Sequence, residues 1–220
     1  MEFNQLPNLH VIHAENSGLT SFSAAEGAIL TNVYLPSVLQ GIALKDVTVN
    51  GFTYTPTKTL NNVSLRNIGG SWDVKSFINT WLALFTDEEL ADLSLTLTNI
   101  NWTGMTAAQV LKMGKVGTRS LQGKVVLTSI NAEQYNQIIE VFGPSVFTPS
   151  SSFVIEAGTG SFIDGPTQVS GGTTGKYQAA FFPVSSDQPK YLLYIGSQLI
   201  TPTTDGQGRV YREHGGVKLY

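Results

Sequence analysis

The chain has 220 residues, 41% of them hydrophobic, enough for one or two domains with ordinary cores and no need of a metal or disulfide staple. A formal net charge of -3 with only 13% charged residues gives no field that would hold a nucleic-acid backbone or an anionic membrane, so nucleic acid is not an expected partner. No cysteine is present, which excludes disulfides, thiolate nucleophiles and Cys-based zinc sites. The surface is then expected to be covered by Ser, Thr, Asn, Gln and Gly, as is common in extracellular β-rich modules and virion proteins.

The first residues, Met1-Glu2-Phe3-Asn4-Gln5, form no basic segment followed by an apolar one, and no later stretch reaches the roughly 20 apolar residues that span a bilayer. A soluble chain without membrane insertion is expected. The missing leader fits a virion protein made in a host cytoplasm and fits equally an excised fragment of a secreted or cell-surface protein.

A repeat begins almost at once. The pattern Leu-x-x-Φ-x-Φ, with Φ apolar, occurs at Leu6-Leu9-Val11, Leu30-Val33-Leu35, Leu39-Ile42-Leu44, Leu60-Val63-Leu65 and Leu90-Leu93-Leu95, with weaker copies at Val125-Leu127 and Phe153-Ile155. Such alternation predicts short strands buried on one face. Helices are predicted after the later strands. Val74, Phe77, Ile78, Trp81, Leu82 and Phe85 recur at helical spacing behind Asp73, and a polar run Thr86-Asp87-Glu88-Glu89 leads to Leu90. Met105 to Met113, opened by Thr103, is a second candidate. Ala132 to Phe142, capped by Asn131 and closed by Gly143-Pro144, is a third.

Strand, turn, helix and return, repeated at unequal steps of about 30 residues, predict a βα solenoid with a parallel sheet over residues 1-157. An ordinary α/β domain whose strands share a pattern is the alternative. The runs Leu60-Asn61-Asn62-Val63-Ser64-Leu65-Arg66-Asn67 and Leu93 to Trp102 resemble irregular leucine-rich repeats. The same holds for Leu121 to Leu127 with its following helix, and for the Leu35-Pro36 junction before Leu39. These forms are similar to repeats in tail-associated proteins of bacteriophages of gut bacteria and in related bacterial surface proteins. The repeats depart from the regular family in unequal length and in lacking a consistent asparagine after the third Φ.

Beyond Pro149-Ser150-Ser151-Ser152 the pattern turns to strands and turns. The run Ile163 to Val169, then Gly171-Gly172, Lys176-Tyr177-Gln178-Ala179 and Phe182-Pro183-Val184, resembles the opening of bacterial immunoglobulin-like domains. That resemblance implies a small all-β immunoglobulin-like domain over residues 158-220. About 60 residues fall short of the ~100 of such a sandwich, so either further strands lie beyond this segment or another chain, a homo-oligomer included, completes the sheet.

Catalytic signatures are weak. Gly171-Gly172-Thr173-Thr174-Gly175-Lys176 misses the phosphate-loop spacing, with Ser170 where the first glycine belongs and Tyr177 after the lysine. His10 and His13, three apart in a predicted strand, face opposite sides and cannot share a metal, and no cofactor is implied. Asp87, Glu88, Glu89 and Asp92 read as the solvated end of a helix rather than as paired catalytic acids. Asn62-Val63-Ser64 and Asn101-Trp102-Thr103 match the glycan-acceptor pattern.

What remains is the outward face of the predicted sheet. Its candidate binding residues are Asn8, His10, Tyr34, Lys45, Ser64, Arg66, Ser94, Thr96 and Thr128, a polar row poor in aromatics. The resulting expectation is a non-catalytic structural or binding module. A virion protein contacting other virion proteins or a host-surface glycan or protein is one form of it, and a bacterial adhesion module is the other.

Overall fold

The computed structural model describes residues 3, 5-127, 130, 132-147, 151-157, 178-181, 191-195, 198-200, 202-208, 210-214 and 217-219. The chain divides into two compact units, Met1–Trp102 with Lys112–Lys124, and Thr103–Leu111 with Val125–Tyr220.

The first unit begins with short strands and no helix. They are β1 (Val11–His13), β2 (Ser21–Ser23), β3 (Ile29–Leu30), β4 (Asn32–Tyr34), β5 (Gly41–Val49), β6 (Phe52–Thr53) and β7 (Asn62–Gly69). They stack because the chain returns to the same place about every 20 residues. Ile12 pairs with Val33, Phe22 with Ile42, and Ile29 with Thr48, all in parallel. Each turn of the coil thus offers three strand positions, and backbone bonds tie one turn to the next. Gln40 N–H donates to Thr20 O at 2.7 Å, Asn61 N–H to Gln40 O at 3.0 Å, and Asn50 N–H to Leu30 O at 2.8 Å.

Helices replace the extra strands from residue 74 onward. Helix α1 (Val74–Leu82) starts where Asp73 accepts a bond from Ser76 N–H at 2.9 Å. It buries Phe77, Ile78, Trp81 and Leu82, and the Trp81 indole N–H donates to Leu60 O at 2.9 Å. Helix α2 (Asp87–Leu90) is a single turn in the stretch expected to be a polar run. Thr86 and Glu89 cap each other's backbone there, which satisfies two N–H groups at once. Strand β8 (Ser94–Thr98) follows.

Strand β9 (Trp102–Met105) displaces the expected opening of the next helix at Thr103. Helix α3 (Ala107–Gly114) is instead capped from Thr106, whose hydroxyl accepts from Gln109 N–H at 3.3 Å while the Gln109 amide oxygen accepts from Thr106 N–H at 2.9 Å. Strand β10 (Thr118–Leu127) completes the series.

The main sheet of the first unit is parallel, with neighbours β2, β5, β7, β8 and β10. Ile42, Val63 and Leu95 stand in one inward row, and Leu44, Leu65, Leu97 and Leu121 in the next. The first six are at most 2% exposed and Leu121 is half-buried, and each full burial contributes on the order of 2 kcal/mol. The parallel sheet with few helices makes the fold α/β.

Two registers differ from expectation. Val63 pairs with Leu95, so the repeat in β8 runs through Leu95 and Leu97, two residues later than Leu93-Leu95. Leu90 belongs to the capped turn α2, and its burial there imitates the first leucine of the motif. In β1, Ile12 is buried and Val11 is 45% exposed, the reverse of the expected phase.

The second unit carries α4 (Ala132–Phe142), a 3-10 turn (Pro144–Phe147) and β11 (Phe153–Ala157), with Tyr135 stacked on Phe147 at 4.6 Å and Phe142 against Phe153 at 5.5 Å. Gly143 takes φ +86 just after α4, and its N–H closes the helix on Ile139 O at 2.8 Å. Asn131, the expected cap, lies outside the described residues, as do 158-177 with the segment that opens the immunoglobulin-like resemblance.

The immunoglobulin-like domain is corrected by the remaining strands. They are β12 (Gln178–Phe181), β13 (Tyr191–Ile195), β14 (Gln198–Ile200), β15 (Pro202–Thr204), β16 (Val210–His214) and β17 (Val217–Leu219). They form two separate antiparallel sheets, β12-β13-β14 and β15-β16-β17, in which each strand pairs with the next in sequence. An immunoglobulin-like sandwich needs long connections that carry strands from one sheet to the other. The two- to nine-residue links here favour local meanders instead, because short turns join nearest neighbours.

Candidate functional site

Strand alternation sends every second residue of the main sheet away from the core, and the parallel register lines those residues up. One row reads Ser23, Ala43, Ser64, Thr96 and Ser120 across five strands. The next reads Lys45, Arg66, Thr98 and Gln122. Together they line an open depression of about 1010 Å³, with Glu26 and Asn99 at its border. Its floor is made of short side chains and its wall of long ones. We call it the trough.

A sharp bend in or just after four of these strands shapes the wall. Asp46, Asn67 and Asn99 adopt φ values of 54, 49 and 53, and Gly123 follows with φ 120. Each stands two residues after an aligned leucine, in Leu44-Lys45-Asp46, Leu65-Arg66-Asn67, Leu97-Thr98-Asn99 and Leu121-Gln122-Gly123. Left-handed backbone suits Asn, Asp and Gly because their short or absent side chains relieve the Cβ clash. The Asn67 amide also donates to Asp46 Oδ1. A positive φ after the apolar run is thus regular in the structure, while asparagine itself stands at only two of the four positions, Asn67 and Asn99, the second displaced in the sequence by the two-residue slip at β8.

The wall's charges are answered locally. Lys45 Nζ meets Glu26 Oε1 at 2.5 Å, and Arg66 lies 3.8 Å from Asp46 Oδ2. Lys45, Ser64, Arg66 and Thr96 of the expected binding residues come together in the trough, while Ser94, half-buried, stands one row away beside Asn62 and Thr118. Ser120, Gln122 and Thr98 join them without having been expected. The alternation Thr118-x-Ser120-x-Gln122 carried the signal, but the weak copy at Val125-Leu127 drew the strand too late.

Asn8, His10 and Tyr34 do not reach the trough. Tyr34 belongs to the separate three-stranded sheet β1-β4-β6, where it stacks on His13 at 4.6 Å. His10 precedes β1; its Nδ1 is 2.7 Å from Ile29 O, and its carbonyl accepts from Thr31 N–H at 2.7 Å, so it ties two turns of the coil together. Asn8 is exposed outside any strand, and Thr128 lies outside the described residues. Glu15, beside His13 at 3.4 Å, has its carboxyl held below the ordinary value, chiefly by a backbone hydrogen bond.

Among the described residues, no group of three or more His, Asp or Glu side chains is placed to hold a metal, and no helix is long and apolar enough to cross a membrane. Comparison with family models, curated proteins and solved structures gives no match.

Proposed function

We propose that this chain is a non-catalytic structural and binding module of a bacteriophage virion, tail-associated, which packs against other virion proteins and turns the trough toward a host surface. The observation that carries the binding part is the in-register trough, where five strands contribute side chains to one open surface of short hydroxyls bounded by Lys45 and Arg66. A sheet face needed only for packing would be covered by apolar contacts, as the opposite face is. The virion part is supported by the resemblance of the Leu60 and Leu93 runs to repeats of phage tail-associated proteins. Mass spectrometry of purified particles tests it: peptides of this chain at stoichiometric level are expected, and their absence from particles overturns the virion assignment.

The same trough favours one second reading, a bacterial cell-surface adhesion module. Recovery of the chain from the surface of uninfected bacteria, and not from particles, selects that reading.

A further inference from the structure

We propose that the trough binds a single strand of an uncharged glycan laid across the β-strands; this rests on the binding-module reading above and names its ligand class. The first argument is spacing. The floor hydroxyls of Ser23, Ser64, Thr96 and Ser120 lie on neighbouring or next-neighbouring strands of one row, and strands in a sheet are about 4.8 Å apart. A linked pyranose ring advances by roughly one such spacing, so successive sugars meet successive strands. An extended peptide falls out of step, because its same-face side chains recur every ~6.6 Å, and its usual docking to sheets uses an edge rather than a face.

The second argument is charge. Lys45 and Arg66 are register neighbours, yet Glu26 and Asp46 stand 2.5 Å and 3.8 Å from them. An anionic polymer would have to displace both carboxylates. Sugar hydroxyls instead use what each ion pair leaves over, the further N–H donors of Lys45 and Arg66 and the further lone pairs of Glu26 and Asp46. A hydroxyl both donates and accepts, which suits a wall that offers both. No aromatic ring lines the trough among the described residues, so ring stacking adds nothing and affinity accumulates sugar by sugar.

The test is titration calorimetry of the whole chain with β-1,4-glucan, β-1,4-mannan and α-1,6-glucan oligomers of increasing length, against heparin, polygalacturonate and a Val-Thr strand peptide. Binding to at least one uncharged series is expected. Its affinity rises with length, levels at about five sugars as the ~19 Å from Ser23 to Ser120 fills, and is indifferent to salt. Ser64→Tyr and Thr96→Tyr, both at solvent-reaching floor positions, lower that affinity about tenfold or more. If either fails to keep the parent circular dichroism, Ala43→Tyr in the same row replaces it. Binding only to heparin or polygalacturonate, binding only to the peptide, binding to nothing, or glycan binding that ignores the floor substitutions each overturns the proposal. Stoichiometric presence in particles alongside any of those results leaves the virion reading standing without a glycan ligand, and glycan binding by a chain absent from particles does the reverse.

Discussion

Tyr54 buries its phenol oxygen without a hydrogen-bond partner. Burial raises its pKa above the ordinary value, and the Thr57 backbone, then the Thr57 hydroxyl, offset this only in part. The ring itself sits 6.4 Å from those of Phe52 and Phe77, an apolar setting that has no use for the hydroxyl. Tyr54→Phe is therefore expected to leave the melting temperature unchanged or raise it, with a gain of up to about 1 kcal/mol. A loss of 2 kcal/mol or so in chemical denaturation would mean that the hydroxyl has a partner after all.

Thr86 and Glu89 make the opposite case, a residue pair whose polar atoms are fully used. Thr86→Ala removes the cap of α2 and is expected to cost about 1 kcal/mol in the same assay. Glu89 also receives Lys58 Nζ at 2.6 Å, and that bond, then the Thr86 backbone, holds its carboxyl below the ordinary 4.5. A lowered folded pKa means that its contribution is present above pH 4.5 and is lost as pH falls through the folded value. Stability measured downward from pH 6 should consequently fall more steeply below pH 4.5 in the parent chain than in Glu89→Gln. Equal slopes would show that the pair is too exposed to matter.

At the scale of elements, two backbone features hold the strands in step. The bend at Asn67 combines a left-handed backbone with the bond to Asp46, so Asn67→Gly keeps the first and loses the second, whereas Asn67→Val loses both. The order of stability expected from thermal unfolding is parent, then Gly, then Val, with Val lower by roughly 2 kcal/mol. Gly117 meets a different limit: a Cβ there would lie 1.8 Å from Ala91 O. Gly117→Ala has to push the start of β10 away from Ala91, the residue that ends α2, where Gly117 N–H donates to Leu90 O at 3.1 Å. These bends and close approaches are invisible in the sequence pattern because a leucine repeat marks buried positions and carries no information on backbone φ or on how near a neighbouring chain passes. Ile42-Leu44 and Val63-Leu65 pair in the register that their pattern implies, since each carries its own leading leucine, Leu39 and Leu60, before the strand. Leu90 broke the rule by serving a helix, and Ile12 broke it because Leu6 and Leu9 lie in a turn that Leu9 N–H closes on Leu6 O at 3.1 Å. The trough inherited both outcomes: its β5 and β7 residues were legible, while those of β10 were not. At the far end the change to strands and turns is legible, yet the pairing depends on which turns are short, and strand patterns alone do not encode that.

Across the whole molecule, 13 Lys and Arg face 16 Asp and Glu, and the mixing is local as well as global. Lys45, Lys58, Arg66 and Lys115 each stand beside a carboxylate, Glu26, Glu89, Asp46 and Asp87 respectively. All four cations are at least 41% exposed, so solvent screens these pairs and they add little stability. Their larger effect is on the outer field, because a cation with its carboxylate a few ångströms away projects almost no potential beyond a Debye length of about 8 Å at physiological salt. Tight binding to a polyanion requires several unanswered cations, each releasing a counterion and steepening the salt dependence. Fluorescence anisotropy with a labelled DNA duplex is thus expected to show no association at 0.15 M salt, and sedimentation with anionic vesicles is expected to leave the chain in the supernatant. Micromolar DNA binding with a steep salt slope would require a cationic surface that the Lys45 and Arg66 pairs do not provide, and would also undo the charge argument for an uncharged ligand.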